Sequence, residues 1–179
     1  KTATPLQQQQ QQQRKAKRMT IPPSSASDAF NVAMRLLGRC DRSEAQLRDK
    51  LQQRGFSSST IATTIERCYD YGYLDDRRYA LSRARTLMRN GKGVGRRVLV
   101  DLRQRGITDD LAQVALDEVS AEFSMADLFE QERSRRFPGF CYACASANER
   151  RRVVSYFQRR GFPLSDIFTW LQQTSVSDR

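Results

Sequence analysis

The sequence predicts an all-α protein, an elongated array of three tandem three-helix repeats with about nine helices. From residue 28 onward apolar residues recur at helical spacing, and no run alternates apolar and polar residues long enough to indicate a strand. An arginine–glycine pair followed by an apolar residue also occurs three times, at 54–56, 105–107 and 160–162. Repeated units that contact mainly their neighbours form extended bodies, so the array is expected to be elongated.

Each repeated glycine is expected to end one helix and begin the turn to the next. Gly55, Gly106 and Gly161 lie 51 and 55 residues apart, with apolar residues eight and four positions before and six and ten positions after each. Since residues four apart share a helix face, this spacing describes two helices joined at a glycine cap. With a preceding helix in each unit (29–39, 76–90 and 125–136), the expected units are 28–72, 73–121 and 122–174, with a tail at 175–179. The alternative is one compact bundle with chance internal similarity.

Capping signals place the helices of the first unit in order. Residues 43–46 read Ser-Glu-Ala-Gln, a capping box that opens a helix closing at Gly55. Ser57 or Ser58 can cap the following helix, which is expected to end near Gly72.

Acidic and hydroxyl residues mark the later helix starts. Asp75-Asp76 and Asp109-Asp110 stand where helices should begin, and acidic groups there interact favourably with the helix dipole. Capping explains both pairs better than a two-carboxylate catalytic site does. Ser124 with Asp127 marks the start of a helix in the third unit, and Trp170 is expected in the core of that unit.

Residues 1–27 differ from the rest of the chain in composition. They contain no acid, a tract of glutamines at 7–13 and a basic cluster at 14–18, and they carry five of the +11 formal charges. Such a segment cannot bury a core, so a disordered basic arm is expected. An organelle transit peptide is the alternative.

Composition excludes several function classes. The chain has no histidine, which removes the usual general base and the commonest zinc ligand. Of its four cysteines only Cys141 and Cys144 are close, without the second ligand pair of a zinc site or the βαβ context of a redox motif. Ordinary thiols in a reducing compartment are expected, and no segment is long and apolar enough to span a membrane. No enzymatic activity and no cofactor are expected.

The most basic stretch is 83–105, which carries +7 with only Asp101 as an acid. Glycines 91, 93 and 95 interrupt it, so two helices should meet at a flexible corner with cations on both sides. Arginine suits phosphate through its planar fork and can stack on unpaired bases. The candidate residues for binding nucleic acid or an acidic partner are Arg85, Arg89, Lys92, Arg96, Arg97, Arg103, Arg150, Arg151 and Arg152.

Solvated helix faces are the alternative for any one of these arginines, because some will pair with carboxylates at i, i+4. For the stretch 83–97 a binding surface is favoured, since no acid lies within it. The glycines do not form a nucleotide-binding loop, because they follow a helix and match neither phosphate-loop pattern. Tyr69, Tyr71 and Tyr73 are open to two interpretations, packing at a unit junction or stacking on bases.

Three runs resemble the RecX family of recombination regulators. They are RSEAQLRDKLQQRGF (42–56), YGYLDDRRYA (71–80) and GKGVGRRVLVDLRQRGI (91–107), within a resemblance that covers about 29–173. The resemblance implies a three-repeat helical protein that binds the RecA recombinase filament on single-stranded DNA and restrains its recombinase and ATPase activities. It would act in the cytoplasm, without catalysis or cofactor, and its internal repeats let it work as a monomer. The chain departs from the family pattern at Val94-Gly95, where a proline is usual, and over 137–148.

A different class of function also fits the pattern. Three-helix units with short turns resemble helix-turn-helix modules, which read duplex DNA through a recognition helix. The arginines here are spread over several helices, and no single recognition helix with base-reading residues stands out.

Overall fold

In a computed structural model of the protein, residues 25–174 are described, and this range contains nine α-helices and no strand. The all-α prediction is therefore confirmed for this part of the chain. The helices are α1 (Ala26–Leu37), α2 (Glu44–Gln52), α3 (Ser58–Asp70), α4 (Asp76–Arg89), α5 (Arg96–Gln104), α6 (Asp109–Ser120), α7 (Met125–Arg136), α8 (Ala147–Arg159) and α9 (Leu164–Thr174). They form two compact units, unit 1 up to Leu74 and unit 2 from Asp75. No helix among the described residues is long and apolar enough to cross a bilayer.

Unit 1 contains α1, α2 and α3, which pack on one another in all three pairings. The predicted capping box opens α2: Ser43 Oγ accepts from the amide of Gln46, and the Gln46 side chain accepts from the amide of Ser43. Ser57, rather than Ser58, caps α3. The core of the unit consists of Ala29, Ala33, Leu36, Leu47, Leu51, Phe56, Ile61, Ile65, Cys68 and Leu74.

Unit 2 contains α4–α9 around a single apolar core. Helices α4, α5 and α6 pack on one another, and α8 packs on α9. Phe129 of α7 packs into this core. The centroid of its ring lies 4.1 Å from that of Phe157 and 5.6 Å from that of Phe162, which it meets edge-on. Trp170 packs on Phe129 at 5.1 Å but stays half-buried at the edge of the core rather than inside it.

The repeat read from the sequence has a direct structural counterpart. The three turn glycines have φ of +83° (Gly55), +79° (Gly106) and +94° (Gly161), a backbone region that favours glycine. The five apolar positions around each glycine are all buried. They are Leu47, Leu51, Phe56, Ile61, Ile65; Val98, Leu102, Ile107, Ala112, Leu116; and Val153, Phe157, Phe162, Ile167, Leu171.

Some expectations need revision or lie beyond the described residues. Helix α1 begins at Ala26 with Ser25 as its cap, so the end of the segment assigned to the arm belongs to this helix. Residues 1–24 of the arm and the tail at 175–179 lie outside the described range. The second and third helix triplets share one core, and the elongated shape of the array stays a prediction.

Candidate nucleic-acid-binding surface

The glycine corner, residues 91–95, joins α4 to α5. Gly91 and Gly95 have φ of +61° and +45°, so the chain reverses direction through conformations that side chains oppose. The amides of Lys92 and Gly93 both donate to the carbonyl of Leu87, which continues the end of α4 into the corner. Val94 is buried and anchors the corner in the core of unit 2.

The corner packs against the turn between α8 and α9. The amide of Val94 donates to the carbonyl of Arg160 at 2.8 Å, and Arg160 Nε donates to the carbonyl of Gly91, also at 2.8 Å. A Cβ on Gly161 would lie 2.1 Å from the carbonyl oxygen of Val94, so only glycine permits this approach. Two turns from different repeats are thereby fixed to each other by one backbone hydrogen bond and one donated by a side chain.

A buried carboxylate lies beside the contact between these two turns. Glu132 of α7 is 3% exposed and accepts from the hydroxyl of Tyr156 and from Arg135, while Arg160 Nε lies 3.4 Å from its Oε1. The Arg160 guanidinium also lies over the Tyr156 ring, 3.8 Å from its centroid. Burial and the hydrogen bond with Glu132 raise the pKa of Tyr156. Arg160 therefore has a structural role, because its guanidinium contacts the carbonyl of Gly91, the carboxylate of Glu132 and the ring of Tyr156.

On one side of the corner lies the Arg96 groove, a depression of about 330 Å³. Its walls come from α5 and from the α8–α9 turn: Arg96, Arg97, Val100, Gln158, Arg159, Gly161 and Phe162. All three arginines are exposed, and none forms an ion pair with a carboxylate in the described part of the chain. Guanidinium groups without a carboxylate partner are available to phosphate or to another anion.

On the other side lies the Lys92 groove, of about 410 Å³, between the end of α4 and α7. Its lining residues are Met88, Arg89, Asn90, Gly91, Lys92, Leu128, Gln131, Glu132 and Arg135. Arg89 and Lys92 are exposed and have no ion pair among residues 25–174. The carboxylate of Glu132 is already occupied by its own donors, so the open face of this groove is cationic.

The stretch 83–97 contains no acid of its own, yet its first two arginines pair with carboxylates from elsewhere in unit 2. Arg83 forms a bidentate pair with Asp101, and Arg85 forms one with Glu122, in the turn that follows α6. The hydrogen bond from Arg85 lowers the pKa of Glu122. Both acids lie outside this stretch and reach it only in the folded unit.

The remaining predicted residues also fall into two groups, those held by other groups of the protein and those exposed on α8. Arg103 pairs with Asp109 at 2.5 Å. Arg150 donates to the carbonyl of Ala143 at 3.1 Å and lies 5.0 Å from the ring centroid of Tyr142, so it fixes the loop before α8. Arg151 and Arg152 are exposed on α8 and line neither groove.

Two parts of the chain match the three-helix domains of the RecX family. Residues 29–68 match its first three-helix domain and fall on α1–α3, while 75–116 match its second and fall on α4–α6. A "Regulatory protein RecX" of Syntrophotalea carbinolica is 41% identical over 147 residues, which cover 82% of this chain and 96% of that protein. The chain belongs to the RecX family. A regulatory protein RecX of Trichlorobacter lovleyi is 35% identical over 136 residues, 76% of this chain and 88% of its own length.

Solved RecX structures show the same fold. The crystal structure of RecX from Lactobacillus salivarius superposes with a TM-score of 0.66 at 24% identity, covering 84% of this chain and 97% of that one. A second crystal structure of regulatory protein RecX gives a TM-score of 0.67 at 22% identity, covering 83% of this chain and 71% of that one. The likeness supports the helical architecture of this RecX protein.

Two residues that line the grooves were not predicted from the sequence. Arg159 completes the Arg96 groove and Arg135 lines the Lys92 groove, yet neither is among the candidate residues chosen from the sequence. The sequence signal that could have identified Arg159 is its position directly before the third Arg-Gly pair, where a turn between helices was expected. Because α8 is distant in sequence from the corner, the contact that brings Arg159 to it is a tertiary one.

The tyrosines of unit 1 lie on the surface of the protein. Tyr71 and Tyr73 are 58% and 47% exposed, and their rings lie 6.0 and 6.5 Å from that of Phe30. Arg67 covers the Phe30 ring at 4.1 Å. Both interpretations of these residues, packing and base stacking, stay open.

Proposed function

We propose that this RecX protein binds the RecA recombinase filament on single-stranded DNA and inhibits its recombinase and ATPase activities. The observation that supports the proposal is the pair of cation-lined grooves on either side of the glycine corner. Their exposed cations that form no ion pair with a carboxylate among residues 25–174 are Arg89, Lys92, Arg96, Arg97 and Arg159. An anionic strand can contact both grooves because the corner between them is short.

The chemistry of the surface suits a single strand better than a sequence-specific duplex site. Arginine forks bind phosphate oxygens, and guanidinium planes can stack on unpaired bases. Arg96 and Arg97 project from the first turn of α5, while Arg159 comes from the last turn of α8. Cations supplied by two helices of different repeats are suited to following a backbone, whereas duplex readout usually places one helix in the major groove.

Regulation without catalysis is part of the proposal. The relatives are named regulatory proteins, and the whole chain has no histidine to serve as a general base. The protein would then act by occupying recombinase and DNA surfaces together, as a monomer in the cytoplasm. Residues 150–152 would extend the contact along α8.

The proposal is tested by adding purified protein to RecA on single-stranded DNA and following ATP hydrolysis and strand exchange. We expect both rates to fall as the protein approaches stoichiometry with the filament. Unchanged rates would contradict the regulator proposal. Selective binding of one duplex sequence, together with unchanged rates, would instead favour a duplex-binding protein that acts independently of the recombinase.

A matched pair of variants tests the surface separately. The groove variant carries Arg89→Gln, Lys92→Gln, Arg96→Gln and Arg97→Gln, and the control carries Arg48→Gln, Arg77→Gln, Arg85→Gln and Arg103→Gln. Each loses four positive charges, but every control arginine already pairs with a carboxylate. We expect the groove variant alone to lose inhibition. Equal inhibition by both variants would exclude this surface while leaving the regulator proposal intact.

A further inference from the structure

The loop between α7 and α8 brings two thiols into contact. Sγ of Cys141 and Sγ of Cys144 lie 2.8 Å apart. The amide of Ala145 donates to the carbonyl of Cys141 at 3.0 Å, which closes one helical turn of the loop. Residues three apart in such a turn share a face, so the backbone itself holds the two sulfur atoms side by side.

The surroundings of the pair allow thiol chemistry. Cys144 is exposed and Cys141 is partly exposed, so a small molecule can reach the sulfur atoms. The amide of Cys144 donates to Cys141 Sγ at 3.3 Å and offers a partner for negative charge on that sulfur. The hydrogen bond with Cys141 raises the pKa of Cys144, while the nearby charge of Arg150 lowers it. These contacts favour Cys141 as the attacking thiolate and Cys144 as the second thiol.

A metal site accounts for the pair less well. Tetrahedral zinc sites need three or four protein ligands, and the whole chain has no histidine. Among the described residues, no group of three or more histidine, cysteine or acidic side chains could hold a metal ion. The other cysteines belong to unit 1, where Cys40 is exposed and Cys68 is buried. Two adjacent thiols without further ligands are suited to disulfide exchange.

We propose that Cys141 and Cys144 form a reversible thiol–disulfide site whose substrate is a low-molecular-weight disulfide such as oxidised glutathione. The Cys141 thiolate attacks one sulfur of that disulfide, which breaks its S–S bond and releases one glutathione thiolate. Cys144 then loses its proton to solvent and attacks Cys141 Sγ in the mixed disulfide, releasing the second glutathione. The protein loses two electrons and two protons, and one oxidised glutathione becomes two reduced molecules.

Oxidation requires little rearrangement of the loop. The two sulfur atoms must approach from 2.8 Å to about 2.05 Å, the usual length of the bond. Arg150, which holds the carbonyl of Ala143 and lies over Tyr142, can keep both contacts. The disulfide would therefore stiffen the entry to α8, from which Arg151 and Arg152 project.

The site is tested on the full chain equilibrated in buffers of increasing ratio of oxidised to reduced glutathione. A Cys40→Ser background removes the exposed thiol of unit 1. We expect Cys141 and Cys144 to lose reactivity toward an alkylating reagent together, with a mass decrease of one hydrogen molecule that dithiothreitol reverses. In Cys141→Ser or Cys144→Ser proteins the remaining cysteine should instead carry a stable glutathione adduct.

Two outcomes would overturn the proposal. One is that the two cysteines accumulate as separate glutathione adducts in the Cys40→Ser protein. The other is that they oxidise only at the ratio of oxidised to reduced glutathione at which Cys40 of the wild-type protein forms a glutathione adduct. Circular dichroism of each serine variant checks that the helices persist. Neither outcome bears on binding to the recombinase.

Discussion

The backbone amide of Val94 donates to the carbonyl oxygen of Arg160, 2.8 Å away, and joins the corner between α4 and α5 to the turn between α8 and α9. This bond places Arg96 and Arg97 beside Arg159 in one groove. The shape of the candidate surface therefore depends on a contact between two repeats within unit 2.

Gly161→Ala tests this contact. The new Cβ would lie 2.1 Å from the carbonyl oxygen of Val94, at a φ of +94°. We expect the free energy of unfolding to fall by about 3 kcal/mol, of which about 1 comes from the backbone conformation and the rest from overpacking. Gly139→Ala is the control in the same unit, since Gly139 has φ of +72° and no heavy atom within 4 Å of such a Cβ. Equal losses in urea denaturation of the two variants would contradict the tight approach.

Glu132→Gln tests the buried carboxylate below the corner. The amide would present N–H groups to side chains that already donate, so we expect a loss of about 2 kcal/mol in the free energy of unfolding. Glu130→Gln is the control on the same helix, because Glu130 forms a comparable i, i+3 pair with Arg133 but its own side chain is 45% exposed. That variant should lose about 0.5 kcal/mol. A loss as small for Glu132→Gln, in urea denaturation, would show that its contacts contribute little.

The Arg96 groove should set the salt dependence of binding to single-stranded DNA. Replacing Arg96, Arg97 and Arg159 with Gln should reduce the slope of log affinity against log salt by about 2, because each phosphate contact contributes about 0.7. Fluorescence anisotropy of a labelled oligonucleotide at several salt concentrations measures this slope. The control replaces Arg48, Arg77 and Arg103, which lose the same charge but pair with carboxylates. Parallel slopes for the two variants would remove the groove from the binding surface.

Asp101 should make stability depend on pH in the acid range. Hydrogen bonds from Arg83 and then Arg105 lower its pKa from 3.8 to about 2 against the opposing effect of burial. Because the folded-state pKa is the lower one, this stabilisation is complete above pH 4 and is lost as the pH falls toward 2. It amounts to about 2 kcal/mol. Urea denaturation from pH 5 to pH 2 should show this extra loss in the wild-type protein but not in Asp101→Asn, and parallel curves would contradict it.

The sequence specified the helices and their turns because these depend on local chemistry. A glycine at positive φ ends a helix wherever it stands, and apolar residues four apart face the same side. Gly55, Gly106 and Gly161 therefore placed their flanking core residues correctly in all three repeats. Helix α1 begins at Ala26, three residues before the expected start at 29, because Ser25 caps it although it stands in the segment whose composition marks the arm.

The charge pattern gave only part of the candidate site. Within the stretch 83–97 the sequence shows no acid, yet Arg83 and Arg85 pair with Asp101 and Glu122, which lie 18 and 37 residues away. An ion pair forms between side chains that the fold brings within about 4 Å, and spacing along the chain does not report that distance. For the same reason Arg159 could not be assigned to the corner.

The sequence by itself determined an all-α chain of nine helices in residues 25–174, the glycine turns between them and the excess of arginine around one corner. The tertiary structure decided which of those arginines are held by carboxylates and which line a groove. The physical reason is that helix signals act over a few residues. The accessibility of a charge, in contrast, depends on every side chain that packing brings within reach of it.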